Sequence, residues 1–219
     1  MNRSAAIFIK ELQSEARTRH AISAMLLFVV TAVVIAVFAS GDEPPGERFA
    51  AGLLWMIIFF AAMVSLGRSF VSETERGTDL LLRISTTPGA VYFGKLLFNI
   101  LLLVVLDGFG AALYLFMGEL PPVGDPAIFS LALLLGSVGL AGAMTIISAI
   151  ISRAGNKNAL LPVLSFPIVF PLLLLAIETT EAAFGPPSAA GADNIGLMTA
   201  YCGIVITASY LLFDFVWEE

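Results

Sequence analysis

Six stretches of the chain run for a membrane-length distance with almost no charge: 21–39, 49–67, 96–117, 127–152, 160–177 and 195–213. A bilayer core about 30 Å thick needs about 20 residues of helix, so each stretch predicts a membrane-spanning helix. Only the third carries a charged residue, Asp107. The connections GDEPPGER, GELPPVGDP and FGPPSAAGADN are short and rich in Gly, Pro and acids, which marks them as turns at the water boundary.

Two segments have a different pattern. Residues 4–20 are too polar to cross a bilayer, yet Ala5, Phe8, Ile9, Leu12 and Ala16 recur at helical spacing. That pattern predicts an amphipathic helix lying in the membrane interface, with its Arg and Lys side chains reaching for headgroups. The second segment, 68–95, reads RSFVSETERGTDLLLRISTTPGAVYFGK. Here Glu73, Glu75, Arg76, Asp79 and Arg83 surround Leu80, Leu81 and Leu82, with Gly77 ahead of the leucines and Pro88 after them. A short amphipathic helix is expected. Its leucines would be costly in water, so they mark a surface that docks on a partner or on the bundle itself.

Composition agrees with the membrane assignment, since the chain is 58% hydrophobic and 13% charged. A net charge of −6 without a basic cluster argues against a nucleic-acid partner. Ten of the eleven Lys and Arg residues fall in the N-terminal segment and the second and fourth loops, leaving Arg48 on the far side. The positive-inside rule therefore predicts cytoplasmic N- and C-termini. No secretory signal pattern is seen, so the N-terminal segment is expected to remain in the mature protein. With one cysteine, Cys202, and one histidine, His20, the chain can form neither an intrachain disulfide nor a Cys/His zinc site.

Inside the spans, Asp107 must face protein or water, because a charge at the bilayer centre costs about 2.5–3.5 kcal/mol on insertion scales. It is a gating candidate. A neutral acid hydrogen-bonded to a neighbouring helix accounts for it equally, with Gly108 and Gly110 allowing close approach and no second intramembrane charge available for a relay. Gly136, Gly139, Gly142 and Ala143 predict tight packing of the fourth span. In the fifth span Pro162, Pro167 and Pro171 predict kinks, and their freed carbonyls predict that this helix faces the interior of the assembly. No phosphate-binding loop or catalytic set is present, so no enzymatic site is expected and any ATP hydrolysis belongs to another chain.

Three segments carry a family resemblance. The first extends from Ala50 to Lys95 and includes Gly52, Trp55, Gly77, Leu80, Leu81, Pro88 and Lys95; the second is LLLGSVGLAGA, 133–143; the third is LPVLSFPIVFPLLLLAIE, with Pro167 and Pro171 four residues apart. Together they resemble the CcmB permeases, haem exporter protein B of bacterial cytochrome c maturation. The resemblance implies an all-α integral membrane fold of six spans with an N-terminal interfacial helix and a cytoplasmic coupling helix. It implies one permease domain over 1–219, in the bacterial inner membrane. The implied partners are a CcmA-type ATPase that binds ATP, a CcmC-type haem-handling protein, a small CcmD-type subunit, a CcmE-type haem chaperone and a second copy of the chain. Haem would be handled by the complex, with no cofactor held by this chain. Asp107 and His20 take no role from the family.

The resulting expectation is that Gly77 to Pro88 docks on the ATPase and transmits its closure to the spans. An exporter for a drug, lipid or glycan, and a scaffold that transports nothing, are the alternative functions. A membrane-embedded enzyme is weakened by the missing catalytic set.

Overall fold

A computed structural model describes residues 3–40, 45–67, 69–71, 73, 77, 82, 84, 86–117, 121–154, 157–186 and 189–218. Among them the chain forms seven helices and no strand: α1 (Arg3–Thr18), α2 (His20–Ser40), α3 (Glu47–Leu66), α4 (Pro88–Phe116), α5 (Pro126–Arg153), α6 (Lys157–Phe184) and α7 (Ala189–Glu218). Helices α2 to α7 each contain a stretch long and apolar enough to cross a membrane, as the six uncharged runs predict.

The helices outrun those stretches, and at α4 the difference matters. Pro88 occupies the first turn of α4 behind an extended Thr87, a position where its missing N–H costs no hydrogen bond. Residues 88–95, expected as the end of the coupling loop, are therefore the first two turns of a spanning helix. Lys95 enters the interior with them, and none of its side chain is exposed.

Helices α1 and α2 meet at a sharp corner. Arg19 takes a left-handed backbone conformation there, with φ 52°, and its N–H donates to the Glu15 carbonyl at 2.6 Å. The Glu15 carboxylate accepts the Ile22 N–H at 2.9 Å, so an acid near the end of α1 caps the start of α2. These bonds hold a conformation that a non-glycine residue adopts only at a cost.

The central helix is α5, buried without interruption from Gly139 to Ala149. Asp125 caps its first turn by accepting the N–H groups of Ala127 and Ile128, both at 3.1 Å. Its small residues admit side chains from three neighbours: a Cβ at Gly136 would overlap the Trp55 ring of α3, one at Gly139 would press on Leu172 of α6, and one at Gly142 would lie 3.1 Å from Ile206 of α7. Close backbone approach through small residues is how helices pack where lipid removes the hydrophobic incentive. Gly110 of α4 likewise receives Val29 of α2, whereas Gly108 faces open space and supports no close approach.

The prolines of α6 are expected to face the interior of the assembly; within this chain alone they face outward. Pro162, Pro167 and Pro171 lie on the exposed side of α6, next to Val163 and Phe166. The opposite side, Ser165, Val169, Leu172 and Ala176, is buried, because its smaller and smoother side chains fit the neighbouring helices. Two hydroxyls support the backbone around Pro167: Ser165 donates to the Leu161 carbonyl at 2.7 Å, and Tyr201 of α7 donates to that of Ile168 at 2.7 Å. Exposed apolar residues such as Leu27, Ile35, Phe38, Val105, Phe116 and Ile204 cover the rest of the bundle, as a surface solvated by acyl chains requires.

Candidate functional site

At the α1 end of the bundle, the face of α4 that turns inward carries Lys95, and the chain has gathered acceptors for it from two other segments. Its Nζ lies 2.9 Å from Glu11 Oε1 of α1, 3.0 Å from the Ser69 carbonyl and 3.5 Å from Glu73 Oε1. Those contacts use all three ammonium hydrogens. The ammonium also sits 4.8 Å from the centre of the Phe70 ring. Lys10 completes the group, donating to Glu73 Oε1 and reaching Glu11 Oε1 at 3.5 Å. Among the described residues, two lysines and two glutamates thus form one network in which Lys95 is wholly buried and Lys10 reaches the surface.

The short segment after α3 is the hub of this network. Ser69 and Glu73 hold Lys95, while the Phe70 N–H donates to Ser148 Oγ of α5 at 3.0 Å and Ser148 donates to the Gly67 carbonyl at 3.1 Å. The Phe70 ring packs on Phe213 and Trp217 at the end of α7, with centroid distances of 5.5 and 6.2 Å. Trp217 stacks on Phe213 in turn and lies under the Arg153 guanidinium at 5.8 Å. Residues 67–73 therefore touch α1, α4, α5 and α7 within about two turns of chain.

Helix α1 presents two faces. Ile7 is buried against Gly94, where an added Cβ would lie 2.7 Å from the Ile7 side chain, and Glu11 lies one turn further along the same face. The predicted apolar stripe lies mostly elsewhere: Ile9, Leu12 and Ala16 are exposed, as a face meant for acyl chains would be, while Ala5 and Phe8 are half-buried and Phe8 packs on the core. Sequence reasoning found that stripe and missed the packing face. Its available signal was a lysine two turns inside an apolar helix, which demands a carboxylate, and Glu11 is among the few acids near this end.

Of the predicted coupling residues, Glu75, Arg76, Asp79, Leu80, Leu81 and Arg83 lie outside the described residues. Glu73 is in the network, Gly77 has φ +68°, a region that favours glycine, and Pro88 starts α4. Between them Leu82 is partly buried on the core, whereas Ile84 is 86% exposed. This part of the segment thus presents one apolar side chain to the bundle and one away from it.

Further along α4, Asn99 Nδ2 donates to Thr145 Oγ1 at 2.8 Å, and Asp107 Oδ2 accepts from Ser137 Oγ at 2.7 Å. Lys95, Asn99 and Asp107 share the buried face of α4, and Asn99 and Asp107 both meet hydroxyls of α5. Pro167 and Pro171 are not brought to Asp107's surroundings, since they lie on the exposed side of α6. The side chain of His20 lies outside the described ones, and Cys202 donates to the Leu135 carbonyl at 3.3 Å, a packing role.

At the opposite end, Trp55 joins three helices: its Nε1 donates to Thr180 Oγ1 of α6 at 2.9 Å, and its ring fills the space left by Gly136 of α5. Nearby, Arg48, Phe49, Gly52, Leu53, Met56, Leu174 and Ile177 line an apolar groove of about 590 Å³ between α3 and α6. Arg48 reaches Glu181 at 3.8 Å. The exposure of both partners makes this pair a weak clasp.

The model of the family described as CcmB protein matches residues 2–215. Heme exporter protein B of Rhodobacter capsulatus is 29% identical over 179 residues, covering 79% of this chain and 80% of the relative. That of Bradyrhizobium diazoefficiens is 28% identical over 174 residues, 76% of each chain. The protein of the same name from Paracoccus denitrificans is 26% identical over 204 residues, covering 92% and 90%.

Proposed function

The chain belongs to the CcmB family, and from that premise we propose that it is the membrane subunit of an ABC-type haem exporter serving cytochrome c maturation. Haem is the substrate of the complex. The ATP is bound and hydrolysed by a CcmA-type partner, and this chain converts the partner's closure into motion of its spans. CcmC-type, CcmD-type and CcmE-type proteins and a second copy of the chain complete the assembly in the inner membrane, with both termini cytoplasmic. The cycle ends in delivery of haem to the CcmE-type chaperone and its release.

The observation that carries this reading is the hub at 67–73. It lies between α3 and the charged segment, and it is bonded to α1, α4, α5 and α7. A force applied to residues 73–88 enters the bundle there rather than dissipating in a loose loop. With both termini cytoplasmic, the chain's single histidine, His20, precedes the first span on the cytoplasmic side, so the outer face offers haem no histidine, which suits a mechanical subunit better than a haem carrier.

Leu81→Glu tests the docking. Placing a charge in the leucine cluster of a docking helix should abolish copurification of the ATPase and, with it, cytochrome c maturation. An intact complex with normal maturation would overturn the assignment.

The apolar groove bearing Arg48 favours a second reading, an exporter for another acidic amphiphile. Affinity purification separates the two: cytochrome c maturation proteins should copurify under the first reading and be absent under the second.

A further inference from the structure

We propose that Lys95 is a positioning residue that fastens the N-terminal helix, the hub at 67–73 and α4 into one moving part, so that motion of the charged segment is delivered to α1 as well as to the spans. The inference rests on the coupling function proposed above and specifies its path.

Four observations support it. Lys95 is fully buried, and its acceptors come from three places: a carboxylate of α1, a backbone carbonyl of the hub and a carboxylate four residues further along. A buried charge held this way resists separation of its partners, because pulling any one of them away leaves an ammonium or a carboxylate uncompensated in a dry site. Lys10 repeats the link from the other side by joining Glu73 to α1. Finally, Ile7 seated on Gly94 gives α1 and α4 a close contact one turn from the ions, so the two helices are fixed in position as well as in charge.

The corner at Arg19 carries the motion onward. With the Ile22 N–H bonded to Glu15 and the Arg19 N–H bonded to the Glu15 carbonyl, α1 cannot swing without turning the start of α2. Helix α2 makes little of the bundle's interior, with Leu27, Ile35 and Phe38 exposed, so it is a helix that can tilt at small packing cost. The path is therefore charged segment, Glu73, Lys95 and Glu11, α1, α2. A bundle without this network would still bind the partner through its leucines, and the partner's stroke would reach α4 and α3 alone.

The test uses the whole complex purified with its ATPase, and it measures two rates together: ATP hydrolysed and haem-loaded chaperone released. The expected result for Lys95→Met is hydrolysis close to wild type and release per ATP reduced about tenfold, within the range that coupling between distant sites spans. Lys95→Arg, which keeps the charge and its donors, should recover part of the ratio. If Lys95→Met does not assemble, Lys10→Met decides, because that side chain is 42% exposed and its loss leaves Lys95 in place; its ratio should fall in the same direction by less. An unchanged ratio in the variant that assembles, including hydrolysis and release falling in parallel, overturns the inference and leaves the docking function intact. Absence of any ATPase from the wild-type preparation overturns the docking function, and this inference falls with it.

Discussion

Two charged residues are buried on the same face of α4, and the chain treats them in opposite ways. Lys95 is surrounded by acceptors from α1 and from the hub, and a second lysine reaches the same two carboxylates. Asp107, twelve residues and about 18 Å further along the helix, has the Ser137 hydroxyl as its hydrogen-bond donor. The difference teaches what each charge is for. Partners drawn from several segments specify how those segments sit relative to one another, and no neutral side chain could replace them at once. A single serine on the next helix merely accommodates an acid, and a neutral side chain of the same shape would do as well.

The largest effect that separates the two sites is therefore on stability. Lys95→Met takes a cation away from Glu11 and Glu73 in a site where each is almost wholly shielded. Breaking a buried ionic group by removing one partner costs about 3–5 kcal/mol. In thermal unfolding of the purified protein this variant should show the largest loss of any single change on α4, with α1 becoming the first segment exposed to protease. A loss no larger than that of a surface lysine would mean that Lys95 does not hold these segments together.

Next in size comes a change beside Asp107 that leaves its charge alone. A Cβ at Gly136 would fall inside the Trp55 ring, so Gly136→Ala must push α3 away from α5 or turn the indole off Thr180. Overpacking of this kind costs about 1–3 kcal/mol. Gly136→Ala should therefore destabilise the bundle more than Asp107→Asn, which changes the acid bonded to the adjacent Ser137. Tryptophan fluorescence gives a direct reading, because Trp55 would lose its buried environment while Trp217, at the other end, would not.

The same two sites show where sequence reading succeeds. The six spans and the helix ahead of them are carried by uncharged runs and by helical spacing, both local properties, and both are found. Gly136 could be picked out as a packing position because small residues recur at helical spacing. The ring that fills it could not, because Trp55 lies some eighty residues away. Glu11 and Lys95 are likewise separated by most of three helices, and only the fold brings them together. Counting apolar residues starts the third span after Lys95, whereas the helix that holds it starts at Pro88, because Pro suits a first turn and the count ignores helix starts. Which face of α6 turns into the bundle was not legible for a related reason: periodicity identifies the two faces, but both are apolar.

The smallest expected effect is the most informative about Asp107. Ser137 Oγ lies 2.7 Å from Asp107 Oδ2 and 2.7 Å from the Leu133 carbonyl, with one hydroxyl hydrogen to give. An asparagine serves either arrangement, since its Oδ1 accepts the serine hydrogen and its Nδ2 donates to the serine oxygen when the hydrogen goes to Leu133. What Asp107→Asn removes is the ability to change charge. If the acid is a packing residue, the variant should keep its stability within about 1 kcal/mol of wild type and leave cytochrome c maturation unchanged. If it moves a proton or opens a gate, the complex should assemble normally and maturation should collapse. The second outcome would reverse the contrast drawn between the two ends of α4, because a charge with a single partner would then be the one that must switch, and the well-partnered lysine the one that must hold still.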